Sequence, residues 1–297
     1  MVRITLDAIV LAVTDETPKV LTTSAVGESA LPSGDLDGDD RTLELGLRRV
    51  LAAQTGIEVG YAEQLYSFGD IDRSSETEER LLGLAYLTLV HEEQPAAGAR
   101  WVDIYALLPW EDRRTDRPRG LDAVIETAAR GWVESAPAGE RSAREERATV
   151  VFGLDSCPWD GVRVLERYEL LYELGLLAES GQRQDSLPDS LPMAFDHRRI
   201  VATAFGRLRG KLTYRPVVFE LLPLTFTLLQ LQRLVEAVAG VPLHKQNFRR
   251  TVENGRLVEG TGLYASTGGR PAELFQFRSD VVRERPRPGV GTPWDRT

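Results

Sequence analysis

The chain has 297 residues, 36 Lys plus Arg against 45 Asp plus Glu, and 42% hydrophobic residues. That is room for about two domains of ~100–200 residues each, and it excludes collagen-like, disulfide-rich and wholly disordered classes. Cys157 is the single cysteine, and the three histidines stand far apart at 91, 197 and 244, so neither an intrachain disulfide nor a zinc site is expected and a reducing cytoplasm is the default compartment. No segment approaches the ~20 apolar residues of a bilayer span, and the apolar stretch from 4 to 13 is broken by Asp7 and lacks the flanks of a signal peptide, so no membrane partner is expected.

Charge is unevenly spread. Residues 1 to 193 carry 19 Lys plus Arg against 36 Asp plus Glu, a net of -17, whereas residues 194 to 280 carry 13 against 7, a net of +6. An acidic body repels a polyanion at long range, so the basic third is a candidate phosphate-contacting surface, with an ordinary solvated surface as the plain alternative.

Val2 to Val13 alternates at Val2, Ile4 and Leu6 and then becomes wholly apolar, which predicts a strand entering a core. A polar loop follows, then the acidic run Asp35, Asp37, Asp39 and Asp40. Thr42 opens a helix with Leu43, Leu47, Val50 and Leu51, and Gly56 stops it. Strands are predicted at 61 to 68, 81 to 90, 101 to 108 and 148 to 154, which makes the first part a mixed α/β domain. Helices are predicted at 160 to 179 and 197 to 210, with a Ser-, Gln-, Pro- and Asp-rich loop from 180 to 192 between them.

From Phe219 the pattern changes. Thr227 caps a helix with Gln230 as its reciprocal partner, Leu228, Leu231, Leu234, Val235 and Val238 form the buried stripe, and Gly240 ends it. A second helix runs from about Leu243 to Glu253. Gly255, a short strand near Leu257, a loop through Gly268, Gly269, Arg270 and Pro271, and a strand from Leu274 to Phe277 complete a helix-turn-helix with a wing.

The second helix gathers His244, Lys245, Asn247, Arg249 and Arg250, while Phe248 and Val252, four apart, face the core. Arg forks onto guanine, Asn pairs with adenine and Lys contacts phosphate, so these types suit a helix in the DNA major groove. The sequence assigns His244, Asn247 and Arg250 to one groove-facing stripe, Lys245 and Arg249 to the flanking phosphates, and Arg270 at the wing tip to a minor groove or backbone. A solvated basic helix is the alternative.

Leu221-Leu222-Pro223, Phe226-Thr227, Leu231-Gln232, the run Leu243 to Arg250, and Gly269-Arg270-Pro271-Ala272 ahead of Leu274-Phe275 resemble the C-terminal winged helix of the Nudix-related transcriptional regulators, the NrtR-like family. Phe195-Asp196-His197-Arg198 and the run Arg207 to Leu212 are similar to the end of that family's Nudix-like domain. The resemblance implies an α/β (α+β) Nudix-like effector domain at 1–218, a winged helix-turn-helix DNA-binding domain at 219–280 and a disordered tail at 281–297. It further implies a homodimeric repressor of genes of NAD or sugar-nucleotide metabolism, with double-stranded operator DNA as partner, ADP-ribose or a related nucleotide as effector and no required cofactor.

An active Nudix motif needs glutamates on its helix to hold the magnesium ions that polarise a diphosphate. Anchoring the motif on Gly56-Ile57 puts Arg49 at its arginine, but Val50, Ala53 and Gln54 at its glutamate positions, and the Gly34 spacing is one residue too long. Neither Val nor Ala ligates a hard cation, so no catalytic residue and no metal is assigned. The expectation is a cleft that binds a nucleotide without cutting it, with Arg49 as the candidate ligand contact. The competing reading is a diverged Nudix hydrolase using the displaced carboxylates Glu44, Glu76, Glu78 or Glu79. Calcium at Asp35, Asp37 and Asp39 is excluded because the sixth position of that loop is Asp40 and the twelfth Gly46.

Overall fold

The computed structural model of the chain describes residues 2–60, 62–69, 80–115, 120–181, 187, 190–266, 271–284 and 289–290. Strand β1, Val2–Thr14, is the spine of the sheet. It pairs antiparallel with β2, Thr17–Ala25, and with β4, Ser33–Asp35, and parallel with β6, Arg80–Leu89. The short β3, Glu28–Ala30, borders β2, and β5, Ala62–Phe68, is the far edge beyond β6. β7, Arg100–Asp103, adds to β2. The predicted run of β1 becomes wholly apolar because both of its faces are covered. Leu6, Ala8 and Val10 pack on helix α1, Leu43–Thr55, while Ile9 and Leu11 enter the larger core on the opposite side.

Helix α1 has the caps the sequence predicts. The Thr42 hydroxyl accepts from the Leu45 amide, and Gly56 closes the helix in a left-handed conformation. After β7 the chain builds a helical layer from α2, Ile104–Leu107, a 3-10 turn at Pro109–Glu111, α3, Leu121–Glu134, α4, Arg141–Phe152, α5, Val164–Glu173, and the long α6, His197–Leu212. Then come α7, Leu228–Ala239, α8, Lys245–Gly255, and the hairpin β8, Val258–Ala265, with β9, Ala272–Phe277. This is the predicted helix-turn-helix and wing, sealed by an isolated bridge from Phe226 to Phe275 and by Phe219 stacked on Phe277 at 4.4 Å between ring centroids. The larger apolar core runs unbroken from Ile9 in the sheet to Val235, Phe248 and Leu257 in the winged helix.

Several expectations need correction. The loop expected after the first strand contains β2 and β3. The strand expected at 101 to 108 stops at Asp103, whose carboxylate accepts from the Tyr105 amide at 2.8 Å and starts α2. The strand expected at 148 to 154 is the last part of α4: Ala148, Val151 and Phe152 are its buried face, spaced three and four apart. α3 was not anticipated, and the helix expected at 160 to 179 is shorter because residues 160–163 form a turn held by Asp160. Part of the loop expected at 180 to 192 lies outside the described residues. The tail expected to be disordered from 281 starts with a helical turn at Val281–Glu284. Further on, Val290 is buried and its amide donates to Leu212 O at 2.8 Å.

Candidate functional site

Two surfaces stand out, an exposed helix and a cleft. In α8 the apolar anchors Phe248, Val252 and Gly255 face inward. The face opposite them centres on Gln246 and Arg250, four apart and exposed, with Arg249 and Lys245 exposed to one side. Among the described residues Lys245, Arg249 and Arg250 form no ion pair, and the one side-chain hydrogen bond in this array runs from Arg250 to Asn247 Oδ1 at 3.4 Å. A helix whose cations are left unneutralised by the chain itself is suited to an external polyanion.

The structure shifts the predicted stripe. His244 is the N-cap of α8, in extended conformation, and Asn247 is half-buried, its backbone oxygen accepting from the Thr251 hydroxyl. The sequence reading omitted Gln246; its spacing of four from Arg250, opposite Phe248, was the available signal. Arg270 lies outside the described residues.

The turn before α8 is held by a buried polar pair. Glu236 accepts from the Leu243 amide at 2.9 Å and from Gln232 Nε2 at 3.0 Å, and the same Gln232 nitrogen donates to Leu243 O at 3.2 Å. The N-terminal end of α7 carries the predicted capping box between Thr227 and Gln230.

The cleft, of about 590 Å³, lies against the end of the sheet beside the start of α6. Arg3, Thr5 and Asp7 line it at alternate positions of β1, Ser33 to Asp35 and Gln54 form another wall, and Phe195 and His197 stand opposite. Arg3 forks onto Asp35 at 2.7 and 2.9 Å at the exposed rim. Deeper in, Ser33 Oγ donates to buried Asp7 at 2.5 Å, and the buried Thr5 hydroxyl has no hydrogen-bond partner among the described residues. His197 accepts the Leu31 amide on Nδ1 at 3.0 Å, and Phe195 packs edge-on against it while staying half exposed. This explains the Phe195 to Arg198 run: Phe195 and His197 shape the cleft, and buried Arg198 ties Glu179, Ser190 and Leu191 behind it. A cleft of this size with an aromatic wall, an arginine at its rim and polar groups inside suits a nucleotide.

Arg49 is the expected ligand contact. It does not line the cleft; its guanidinium forks onto Asp40 at 3.0 and 2.7 Å and donates to Asp35 O at 2.9 Å. That contact, with a backbone bond from Asp37, holds the Asp40 carboxyl down to about 2. Val50 is buried against Gly34, where an added methyl would lie 2.9 Å from Val50 Cγ2. Gln54 clamps Ser33 from both sides, accepting from its amide at 3.1 Å and donating to its oxygen at 2.6 Å. Glu44 is paired with Arg48 at 2.7 Å, and Glu76, Glu78 and Glu79 lie outside the described residues.

Residues 218–277 match the family model of the NrtR DNA-binding winged helix domain. A segment of 87 residues is 39% identical to the ADPR responsive transcriptional repressor NtrR of Acinetobacter baylyi, covering 29% of this chain and 35% of that relative's length. The crystal structure of Shewanella oneidensis NrtR complexed with a 27mer DNA superposes with a TM-score of 0.60 and 22% identity, over 94% of this chain and 95% of that one. A MutT/nudix family protein from Enterococcus faecalis superposes with a TM-score of 0.55 and 19% identity, over 94% and 87%. The chain therefore shares the fold of these structures, an α/β domain followed by a winged helix, and the winged helix is the part that the NrtR model matches.

Proposed function

We propose that this chain, with its NrtR-type winged helix at 218–277, is a transcriptional repressor that binds double-stranded operator DNA through α8 and responds to ADP-ribose or a related nucleotide in the cleft. The observation that carries the reading is the exposed face of α8, where Gln246 and Arg250 stand free of the core with unneutralised Lys245 and Arg249 beside them. Gln reads adenine, Arg reads guanine, and the flanking cations take phosphate. The acidic remainder of the chain repels DNA and so favours the approach of this face. Two chains on a two-fold axis would present paired α8 helices to a palindromic site, which makes a homodimer in the cytoplasm the working assembly.

The cleft serves as sensor rather than active centre. Residues 1–218 form the sensing half and 219–280 the DNA-binding half, with genes of NAD or sugar-nucleotide metabolism as the regulated class. Magnesium does not fit at the motif positions, because Val50 is packed into the core, Ala53 has no ligand atom and Gln54 is committed to Ser33. Arg3 at the rim is placed for a phosphate and the half-exposed Phe195 for a base. The test is a gel shift of the full chain on the DNA upstream of its own gene, with and without ADP-ribose, alongside an assay for AMP release. A shift that ADP-ribose alters, without AMP, is expected. AMP release at ordinary enzyme rates would favour the hydrolase, and absence of any sequence preference would remove the repressor reading.

A further inference from the structure

The C-terminal end of α7 is finished by residues from outside the winged helix. A helix leaves its last carbonyls without partners of its own, and these must be met elsewhere when buried. Here the Tyr105 hydroxyl donates to Ala237 O at 2.6 Å, Arg209 Nε donates to Val238 O at 2.9 Å, and the Arg113 amide donates to Gly240 O at 2.6 Å. Gly240 is pressed into this junction: its φ is +72°, and an added methyl would stand 2.4 Å from Glu111 O and 2.5 Å from Arg209 Nη2.

Arg209 is itself held by a buried carboxylate. Glu111, fully buried, binds Arg209 on one side and Arg167 on the other, the latter at 2.6 and 3.0 Å. Arg209 also donates to Glu111 O at 3.0 Å and to Gly161 O at 3.1 Å. Burial alone would raise the Glu111 carboxyl, but the two guanidinium groups keep it below the usual range. Burying three charges costs several kcal/mol per ion, and apolar side chains of equal size often give equal or greater stability. What the charges add is a fixed orientation of the Arg209 fork toward the end of α7.

The same helix that carries Arg209 begins in the cleft. His197 and Arg209 are both on α6, twelve residues apart, or about 18 Å along the axis. Within α7, Gln232 and Glu236 hold the turn into α8. A continuous packed path therefore leads from Phe195 and His197, along α6, through Arg209 to α7 and on to the DNA-facing helix.

We propose that Arg209, oriented by Glu111, and Tyr105 are positioning residues for α8, through which occupancy of the cleft changes DNA affinity. The inference rests on the sensing function proposed above. The test uses the full chain and measures two quantities: ADP-ribose affinity by calorimetry, and the ratio of DNA affinities with and without ADP-ribose by fluorescence anisotropy on the upstream DNA. Wild type is expected to show a ratio of about fivefold or more. Arg209→Lys keeps the charge and loses the fork; Tyr105→Phe removes one hydroxyl. In both, the ratio should fall to within about twofold of one, with ADP-ribose affinity within about twofold of wild type and DNA still bound. If Arg209→Lys does not fold, by thermal melt, Tyr105→Phe decides alone. A wild-type ratio retained in folded variants overturns the proposal, and so does parallel loss of both affinities, which marks a purely structural role. A wild-type protein that binds ADP-ribose with a ratio of one, or does not bind it, defeats the sensing function itself and this proposal with it.

Discussion

The two ends of α7 solve the same problem in opposite ways. At its start Thr227 and Gln230, three residues apart, satisfy each other's backbone groups. At its finish the chain reaches across 132 residues to Tyr105 and 29 to Arg209. The first end is self-sufficient, so the winged helix folds its own beginning. The second end is completed only when the layer carrying Tyr105 and Arg209 is in place, so the orientation of the winged helix depends on that layer. A helix capped locally at one end and remotely at the other is anchored where it meets the rest of the chain and independent where it does not.

Breaking the remote end should have the largest effect. Glu111→Ala leaves Arg167 and Arg209 buried without their carboxylate and should cost about 3–5 kcal/mol in a urea titration followed by far-UV circular dichroism. Glu111→Gln sharpens the point through pH. The folded carboxyl is held below its unfolded value, so its contribution is present above the unfolded carboxylate range and fades as pH falls through the folded value. Wild type should therefore lose stability toward acid more steeply than Glu111→Gln, and parallel curves would contradict the charged triad. Next in size is Gly240→Ala, at about 2–4 kcal/mol, because it combines a left-handed backbone with a methyl driven into Glu111 and Arg209.

How much of this was legible follows the same division. α1 and α7 were readable from Thr42, Thr227, Gln230 and their closing glycines, since caps and stripes are local. β2 was not: its Thr- and Ser-rich sequence resembles a loop, and it is kept as a strand by β1 and β7 on either side. At 148 to 154 the β-branched run suggested a strand, although the spacing of Ala148, Val151 and Phe152 already fitted a helix face. The cleft was half legible, because Arg3, Thr5 and Asp7 alternate along β1, yet nothing local showed that α6 would bring Phe195 over them. Arg49 holds the motif position but does not line this cleft, because the acidic loop folds Asp40 back onto it. The junction at Glu111 carried no local pattern at all.

On the DNA-facing side the expected effects are smaller and of two kinds. Arg250→Ala or Gln246→Ala should each cost about 1–3 kcal/mol and relax preference at one base pair in a binding-site selection. Lys245→Ala should weaken all sequences alike and reduce the salt slope by about 0.9. If Gln246→Ala and Lys245→Ala gave the same profile, the division of this face into base-reading and phosphate-binding sides would be wrong. Thr227→Ala comes next, at about 1 kcal/mol from the lost cap. It lies on the same helix as Gly240 but at the self-sufficient end, so its melting temperature should fall while the ADP-ribose effect on DNA binding stays as in wild type.

The smallest effect belongs to Arg49. Its half-exposed guanidinium faces an Asp40 carboxylate that is itself largely shielded, so water and salt screen the pair only in part. Arg49→Ala should lower the melting temperature slightly at neutral pH and, since Arg49 does not line the cleft, should leave ADP-ribose affinity unchanged. The informative readout is Asp40 itself. In wild type its carboxyl titrates at about 2, chiefly because Arg49 donates to it. Removing Arg49 should move that titration up toward the ordinary aspartate value in carbon-detected NMR, leaving only the smaller downward pull of the Asp37 amide. The pair's contribution is present above the unfolded aspartate range and is lost as pH falls toward 2, so any difference between the proteins should vanish at the acid end. A tenfold loss of ADP-ribose affinity in Arg49→Ala, with Asp40 titrating as before, would instead place the arginine in the ligand site and redraw the cleft around α1.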